Sequence, residues 1–268
     1  MKLIRFLTID DKTEWGILDS EYEDDAYVIE GNIFDKFSIS THLVRIKRFL
    51  SPVVPPDIIG IGLNYQKHAA ETGIKIPDIP VMFIKAHGAL VGHEDPIALP
   101  KAGPFEVDCE AELAVVIGKT AKNVSRESAM DHVLGYTCAN DVSARDWQTR
   151  KQKTQWTRGK SFDTFCPVGP WIVTKDEIPD PHGLAIQLDI NGQAIQDSNT
   201  SDMIFDIPTI VSNLSQSMTL FAGTVILTGT PHGVGYTRIP PSYLRTGDTV
   251  TVYIEKIGRL VNPVVMER

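Results

Sequence analysis

The sequence predicts an α+β fold that is mainly β. Apolar residues alternate with polar ones over many short stretches, which is typical of strands. Helix candidates are few, and the pattern lacks the regular alternation of strand and helix that indicates a parallel α/β sheet. The chain has 268 residues, of which 42% are hydrophobic and 22% are charged. This composition is typical of a globular protein with a sizeable core, in one large domain or two.

The N-terminal part of the chain is predicted to form a small β-rich layer. Its three predicted strands are residues 2–9, 14–18 and 26–30. An acidic turn is expected at residues 19–25. Residues 49–57 (FLSPVVPPD) contain three prolines, which neither a helix nor a central strand accommodates. We therefore predict a small N-terminal β-rich domain at residues 1–50 and a larger domain at residues 55–268.

A glycine-rich strand opens the larger domain. This strand, at residues 57–65, ends in GIGLNY, where a tyrosine replaces the third glycine of a dinucleotide-binding fingerprint, so we reject that motif. A short helix is predicted at residues 65–72, with Gly73 as its C-terminal cap, and the next strand at residues 81–85.

The stretch VDCEAELAVVIG, at residues 107–118, has apolar residues at alternate positions. A strand here would bury one face and carry Asp108, Glu110 and Glu112 together on the other. These carboxylates would lie about 7 Å apart and repel each other unless solvent or a cation compensates them. Both a solvated face and a cation site are compatible with this pattern.

The rest of the chain combines short helices with strands. Helices are predicted at residues 125–132 and 208–217, the second with a proline in its first turn. Asn191-Gly192 is a strong hairpin signal. Residues 140–148 form a predicted strand-to-helix junction. Further strands are predicted at residues 136–139, 225–227, 249–255 and 260–265.

Charge and composition exclude several classes of function. The formal net charge of −8, with no basic patch, argues against a nucleic-acid partner. The three cysteines lack paired spacing and fit a reducing compartment. No apolar run approaches the roughly 18–20 residues of a membrane span, and the N-terminal residues do not have the pattern of a targeting signal. We expect a cytoplasmic protein without a membrane partner.

Two groups of residues have the chemistry of a site. Glu110, Glu112 and Asp141 could hold a metal through carboxylate oxygens, which select Mg²⁺, Mn²⁺ or Ca²⁺ over Zn²⁺. For Asp141, a helix N-cap is the competing interpretation. His68 and Glu71 lie three residues apart on one face of the predicted helix. The carboxylate could orient the imidazole as a general base, although a solvated surface pair is the alternative.

Three further features have two interpretations each. The loop TGTPHGVG, at residues 228–235, either brings backbone amides to an anion or forms an ordinary hairpin. Arg145 and Lys160 either pair with a carboxylate or are plain surface charges.

These motifs, in this order and spacing, resemble the short, acylpyruvase-like branch of the fumarylacetoacetate hydrolase family. The resemblance extends over about residues 55–265 and rests on five spaced blocks. They are GIGLNYQKHAAE (60–71), EAEL (110–113), DVSARDWQ (141–148), GKSFD (159–163) and TGTPHGVG (228–235).

The resemblance implies a mixed β-sandwich roll and assembly as a homodimer. It implies that Glu110, Glu112 and Asp141 hold a divalent cation, usually Mg²⁺. It also implies that His68 and Glu71 sit on a lid over the site. Positions that surround or hold the substrate are matched by Arg145, Gln148, Lys160 and Thr230.

From this resemblance we expect a Mg²⁺-dependent enzyme that acts on 2-oxo acids through an enolate, with His68, Glu71 and Lys160 as catalytic residues. The first expectation is hydrolysis of a carbon–carbon bond in an acylpyruvate-type substrate. On the same site, the alternatives are tautomerisation or decarboxylation of oxaloacetate and isomerisation of an unsaturated dioate. An alternative of another class is a non-catalytic protein that binds a metal or ligand.

Overall fold

A computed structural model describes residues 1–19 and 24–268. The fold is mainly β, as predicted, and the described residues contain eighteen strands and two α-helices. The strands are β1 (Lys2–Thr8), β2 (Thr13–Leu18), β3 (Asp25–Gly31), β4 (Phe37–Phe49), β5 (Ile58–Gly62), β6 (Val81–Lys85), β7 (Leu90–Val91), β8 (Ile97–Leu99), β9 (Val107–Asp108), β10 (Ala111–Ile117), β11 (Val133–Asn140), β12 (Ser143–Ala144), β13 (Cys166–Thr174), β14 (Ala185–Ile190), β15 (Gln193–Asn199), β16 (Val225–Leu227), β17 (Thr249–Ile254) and β18 (Gly258–Met266). The α-helices are α1 (Gln66–Thr72) and α2 (Ile207–Ser217).

Two sheets pack against each other and enclose the main core. The larger sheet has the order β2-β3-β4-β1-β13-β11-β10-β16-β5-β6, with β7 beside β13, and the smaller has the order β15-β14-β17-β18-β8. Strands β10, β11 and β13 of the larger sheet contact β14, β17 and β18 of the smaller one. The core between them includes the buried side chains of Leu113, Tyr136, Val168, Leu188 and Val252.

The first four strands extend the larger sheet. Strand β1 pairs with both β2 and β13, which joins the N-terminal strands to the rest of the chain. The same strands also enclose a small cluster of their own, made of Ile4, Phe6, Leu18 and Ala26. The division into domains at residues 1–50 and 55–268 stays a prediction. Of the acidic turn predicted at residues 19–25, residues 20–23 lie outside the described residues.

Several elements differ from the prediction. Strand β4 was not predicted; most of its side chains are exposed, and its pairing with β3 and β1, not burial, defines it. Strand β13, which lies between β1 and β11, was not predicted either. In place of the helix predicted at residues 125–132, the chain forms only a 3₁₀-helix at Ala129–His132. The hydroxyls of Ser125 and Ser128 bond to each other and to the local backbone, which competes with helix formation.

The turn and cap signals are confirmed. Helix α1 ends at Gly73, whose φ of 67° is the left-handed conformation that a C-terminal cap requires. Asn191 and Gly192 connect β14 to β15 with φ of 56° and 77°, as expected for a two-residue hairpin turn.

The acidic stretch at residues 107–118 is not a single strand with one solvated face. Strands β9 and β10 are separated by Cys109 and Glu110, and every residue from 107 to 117 is buried. Strand β10 lies in the interior of the larger sheet, between β11 and β16. The solvated interpretation of this acidic face is therefore wrong.

None of the described helices is long and apolar enough to cross a membrane; α2, with 11 residues, has about half of the roughly 20 that a span needs. Cys109, Cys138 and Cys166 are buried and free. Burial raises the pKa of the Cys166 thiol to about 12, which disfavours the reactive thiolate form.

We predict that the N-cap of α2 contributes measurably to stability. The Asp206 carboxylate accepts a hydrogen bond from the Thr209 amide at 2.9 Å. Burial opposes its ionisation, but bonds from Thr209 and Arg126 outweigh burial and lower the pKa of Asp206. Asp206→Ala should reduce the free energy of unfolding in urea by about 1 kcal/mol, because a helix amide loses its acceptor.

Asp206→Asn is the matched control for this prediction, because it keeps the acceptor and removes only the charge that pairs with the exposed Arg126. It should retain most of the stability. Equal losses in the two variants would show that the charge, and not the cap, is what stabilises α2.

Candidate metal centre and active site

The register between β10 and β11 brings three acidic residues together. Ala111 pairs with Asn140, so Asp141 lies next to Glu110, and its amide donates to the Glu110 carbonyl at 2.9 Å. Glu112 lies two residues after Glu110, within β10. One oxygen from each of the three carboxylates lies within 4.8 Å of the others. The strand pairing explains why acidic residues far apart in the sequence meet.

Buried cations contact two of these carboxylates. The Lys160 ammonium lies 2.9 Å from Glu110 and 2.7 Å from Asp141. Arg145 lies 2.7 Å from Glu110, and Lys85 contacts the other oxygen of Asp141. Burial opposes the ionisation of Glu110, but Lys160 and Arg145 outweigh burial and lower its pKa. Glu110 is therefore ionised although it is buried.

Glu112 has a different environment. Its carboxylate accepts a hydrogen bond from the backbone amide of Gly229 at 2.6 Å. Burial, followed by the negative charges of Asp141 and Glu110, raises the pKa of Glu112 well above its usual range. A cation bound beside Glu112 would supply the positive charge that its surroundings lack.

The donor set fits a hard divalent cation. Among the described residues, the group consists of three buried carboxylates, Glu110, Glu112 and Asp141, with no thiolate or imidazole. Such oxygen donors select Mg²⁺, Mn²⁺ or Ca²⁺. The interpretation of Asp141 as a helix cap is wrong, because the next helix, a π-helix, begins only at Asp146 and Asp141 binds lysine side chains instead.

Arg145 is held in place by Asp108. Its Nε and Nη2 donate to one oxygen of Asp108 at 3.0 and 2.7 Å, and its Nη1 donates to Gln148 at 2.9 Å. The guanidinium carbon lies 4.3 Å from the centre of the Tyr236 ring. Burial alone would lower the pKa of Arg145, but the negative charges of Asp108 and Glu110 outweigh this effect and raise it. Asp108 therefore orients a buried cation and lies outside the three-carboxylate group.

His68 and Glu71 form a hydrogen-bonded pair on α1. Nδ1 of His68 lies 3.0 Å from Oε2 of Glu71, and the His68 side chain is only 9% exposed. Oε1 of Glu71 accepts hydrogen bonds from the Gly233 amide and the Thr237 hydroxyl. Burial opposes the ionisation of Glu71, but bonds from His68, Thr237 and Gly233 outweigh burial and lower its pKa. Because Nδ1 is engaged, Nε2 is the nitrogen that can exchange a proton with a substrate.

The glycine-rich loop binds carboxylates of this same chain through its backbone. The amide of Gly229 donates to Glu112, that of Gly233 to Glu71 and that of Gly235 to Asp108. Gly229 and Gly233 have φ of 97° and 96°, which residues other than glycine rarely adopt. The loop is not a hairpin, because the strands before and after it, β16 and β17, lie in different sheets. Of the two interpretations, the anion-binding loop is confirmed, and the chain's own carboxylates are the anions.

Two aromatic rings form one wall of the cleft. Phe83 and Trp156 meet edge to face with ring centres 5.9 Å apart, and the Lys160 ammonium lies 5.2 Å from the Phe83 ring centre. A Cβ added to Gly60 would lie 2.2 Å from Phe83, and one added to Gly62 would lie 2.1 Å from Trp156. The two glycines of the rejected dinucleotide motif are therefore needed for the rings to pack against β5.

One cleft contains nearly all of the predicted site residues. Those that line it are His68, Glu110, Glu112, Asp141, Arg145, Gln148, Lys160 and Thr230. Glu71 is not among them and contacts the cleft through His68. The Thr230 hydroxyl donates to the Ala111 carbonyl at 3.0 Å and accepts a hydrogen bond from Gln196 at 2.9 Å. Thr230 thus anchors the glycine-rich loop to β10.

Sequence reasoning missed several residues of the site, including Lys85, Trp156 and Tyr236. Lys85 ends the apolar strand VMFIK and is 1% exposed. A lysine in a buried strand needs an anionic partner, and that was the available signal. The sequence offers no comparable signal for the two aromatic residues, which approach the site from loops and short helices.

Comparison with known proteins identifies the family. The model of the Fumarylacetoacetate (FAA) hydrolase C-terminal family matches residues 57–265. The chain belongs to the fumarylacetoacetate hydrolase family of enzymes, as its motifs predicted. It is 51% identical over 217 residues to oxaloacetate tautomerase fahd2, mitochondrial, of Xenopus laevis, covering 81% of this chain and 68% of that protein. It is 48% identical over 218 residues to oxaloacetate tautomerase FAHD2B, mitochondrial, of Homo sapiens, covering 81% and 69%.

A solved structure shows the same fold. The crystal structure of 2-hydroxyhepta-2,4-diene-1,7-dioate isomerase from Mycobacterium marinum superposes with a TM-score of 0.85 at 39% identity. The superposition covers 100% of this chain and 99% of that chain. The predicted fold class is thereby confirmed, and the shared fold includes the N-terminal strands.

We predict that Glu112→Gln weakens the binding of Mg²⁺ at least tenfold in isothermal titration calorimetry, because the variant loses a ligand charge while keeping its shape. Glu106→Gln is the matched control, since Glu106 pairs with Arg150 outside the group. Unchanged Mg²⁺ affinity in Glu112→Gln would exclude this residue from the metal site.

We predict that Gly62→Ala displaces Trp156 and destabilises the protein by about 1–3 kcal/mol, because the added methyl group overpacks the ring. Urea unfolding and intrinsic tryptophan emission measure the two effects. Gly183→Ala is the control, since an added Cβ there has nothing within 4 Å. Equal stability of the two variants would contradict the role assigned to Gly62.

Proposed function

We propose that this enzyme is a divalent-metal-dependent tautomerase that interconverts the keto and enol forms of oxaloacetate. The observation that carries the proposal is that His68, supported by Glu71, lines the same cleft as Glu110, Glu112 and Asp141. The frog and human relatives are named oxaloacetate tautomerases. Their names favour tautomerisation over the acylpyruvate hydrolysis that was expected first.

The charges around the cleft suit an anionic substrate. Four buried carboxylates surround three buried cations, which leaves one net negative charge when all are ionised. A bound divalent ion reverses this to one net positive charge, which attracts a dicarboxylate. The carboxylates are Asp108, Glu110, Glu112 and Asp141, and the cations are Lys85, Arg145 and Lys160.

The substrate would be held at both of its ends. Glu110, Glu112 and Asp141 would hold the divalent cation, which when bound would supply the positive charge that acidifies the C3 protons and stabilises negative charge on O2. Arg145 and Gln148, which line the same cleft, would bind the second carboxylate.

Tautomerisation requires one proton to move from C3 to O2. His68 accepts a C3 proton at Nε2, the C3–H electron pair forms the C2=C3 double bond, and O2 takes the negative charge. Glu71 stabilises the imidazolium, which then delivers the same proton to O2. Burial alone would lower the pKa of Lys160, but the negative charges of Asp141 and Glu110 outweigh it and raise this pKa. The ammonium therefore keeps its charge and can stabilise O2.

Acylpyruvate hydrolysis is the second candidate on this site. The His68–Glu71 pair has the hydrogen bond that activates a water molecule as well as a carbon acid. Attack of that water on the distal carbonyl would release a pyruvate enolate. Decarboxylation of oxaloacetate would also form a pyruvate enolate, whereas isomerisation of an unsaturated dioate would pass through the enolate of the intact dioate.

The proposed partner is a small 2-oxo acid, with neither nucleic acid nor a membrane as partner. Assembly as a homodimer and a cytoplasmic location stay predictions. The names of the frog and human relatives include the word mitochondrial.

We predict that His68→Ala slows oxaloacetate tautomerisation by about 10²–10⁴-fold while Mg²⁺ affinity is unchanged, because only the general base is lost. Enol absorbance of oxaloacetate, with Mg²⁺ present, measures the rate. His42→Ala, in the exposed part of β4, is the control.

Acetylpyruvate is assayed in parallel to separate the candidate functions. Cleavage of acetylpyruvate without tautomerisation of oxaloacetate would contradict the proposed tautomerase and support acylpyruvate hydrolysis. Mg²⁺ binding without turnover of either substrate would support the non-catalytic alternative, and full activity of His68→Ala would remove this residue from the mechanism.

A further inference from the structure

We propose that Thr237 is a positioning residue for the reaction, because its hydroxyl fixes the Glu71 carboxylate in the orientation that holds His68 toward the cleft. This inference rests on the proposed function, since it requires the His68–Glu71 pair to act as the base. It adds a residue from the 3₁₀-helix Gly235–Thr237, directly after the glycine-rich loop, which none of the sequence motifs includes.

The two oxygens of Glu71 have separate tasks. Oε2 lies 3.0 Å from Nδ1 of His68. Oε1 lies 2.8 Å from the Thr237 hydroxyl and 2.9 Å from the Gly233 amide. Oε1 therefore accepts hydrogen bonds from Thr237 and Gly233, while Oε2 orients the imidazole of His68.

The hydrogen bonds from Gly233 and Thr237 are needed because α1 alone does not fix the orientation of the Glu71 side chain. Helix α1 has only seven residues, and a helix this short has little stability of its own. The Glu71 side chain is 23% exposed, so packing alone does not select its conformation. Donors from a separate element, the 3₁₀-helix Gly235–Thr237 and the residues before it, supply that selection.

The Thr237 hydroxyl has a second acceptor. Its oxygen also lies 2.9 Å from the carbonyl of Val234. A hydroxyl carries one hydrogen, so it donates to Glu71 or to Val234 at any moment. When Glu71 moves away, the donor is not left unpaired. The contact with Glu71 therefore affects the orientation of the carboxylate more than the stability of the fold.

The position of the 3₁₀-helix does not depend on this contact. The amides of Gly235 and Tyr236 donate to Asp108 at 3.0 and 3.1 Å. Asp108 is itself fixed by Arg145. Removing the Thr237 hydroxyl should thus leave the helix and the Arg145 site in place and change only the hold on Glu71.

The test compares Thr237→Val with Thr237→Ser. Thr237→Val should lower kcat for oxaloacetate tautomerisation about tenfold, the usual effect of one lost hydrogen bond to a charged group, with KM and Mg²⁺ affinity unchanged. The acidic limb of the pH–rate profile should move to higher pH, because a carboxylate that loses a donor holds the pair's proton more tightly. Thr237→Ser, which keeps the hydroxyl, should restore both.

Thr246→Val controls for the same substitution at an exposed position of the following loop. Should Thr237→Val be unstable in urea unfolding, Thr237→Ala removes the hydroxyl without adding a methyl group in its place. Wild-type kcat and pH profile in the folded variant, with Glu71→Ala inactive, would overturn the inference and leave the proposed function intact. Full activity of Glu71→Ala would instead show that the proposed base itself is wrong.

Discussion

The repulsion between three buried carboxylates is the constraint that organises this molecule. Like charges within 4.8 Å of each other cost roughly 3–4 kcal/mol per pair at the effective dielectric constant of a protein interior. The register of β10 and β11 imposes this proximity, and the surrounding elements offset it. Lys85 approaches Asp141 from β6 and Lys160 from the 3₁₀-helix Thr157–Lys160, and the amide of Gly229 approaches Glu112. The remaining deficit of positive charge lies at Glu112, where a cation fits.

The need to offset buried negative charge also explains the arrangement of the acidic residues around the three-carboxylate group. Each buried or half-buried acid of the site is matched by a donor from a different element, so the acids connect the elements to one another. Asp108 ties β9 to Arg145 and to the 3₁₀-helix Gly235–Thr237, and Glu71 ties α1 to that same helix. The geometry of the candidate site and the contacts between its elements therefore depend on one network of charges and donors.

The sequence predicted which residues meet in the site better than it predicted the surroundings of the site. Alternating apolar residues identified β10, which carries Glu112 and directly follows Glu110, and the spacing of His68 and Glu71 predicted their contact. Periodicity could not show that both faces of residues 107–117 are buried, because that depends on strands β11 and β16 and on the second sheet. In β4 the apolar residues alternate only in part and most side chains are exposed, so pairing with β1 and β3 defines the strand. Trp156 reaches the cleft only because Gly62, distant in the sequence, has no side chain.

The glycine-rich loop has a consequence for how such enzymes can diverge. It recognises three acidic side chains through main-chain amides, which every residue except proline possesses. The side chain of Tyr236, which directly follows the loop and lines the cleft, can change without removing those donors, whereas the path of the backbone through Gly229 and Gly233 cannot. Mutational drift can therefore alter what the loop presents to a substrate while the charge balance beneath it persists. New substrate preferences can arise in this fold without first dismantling the site.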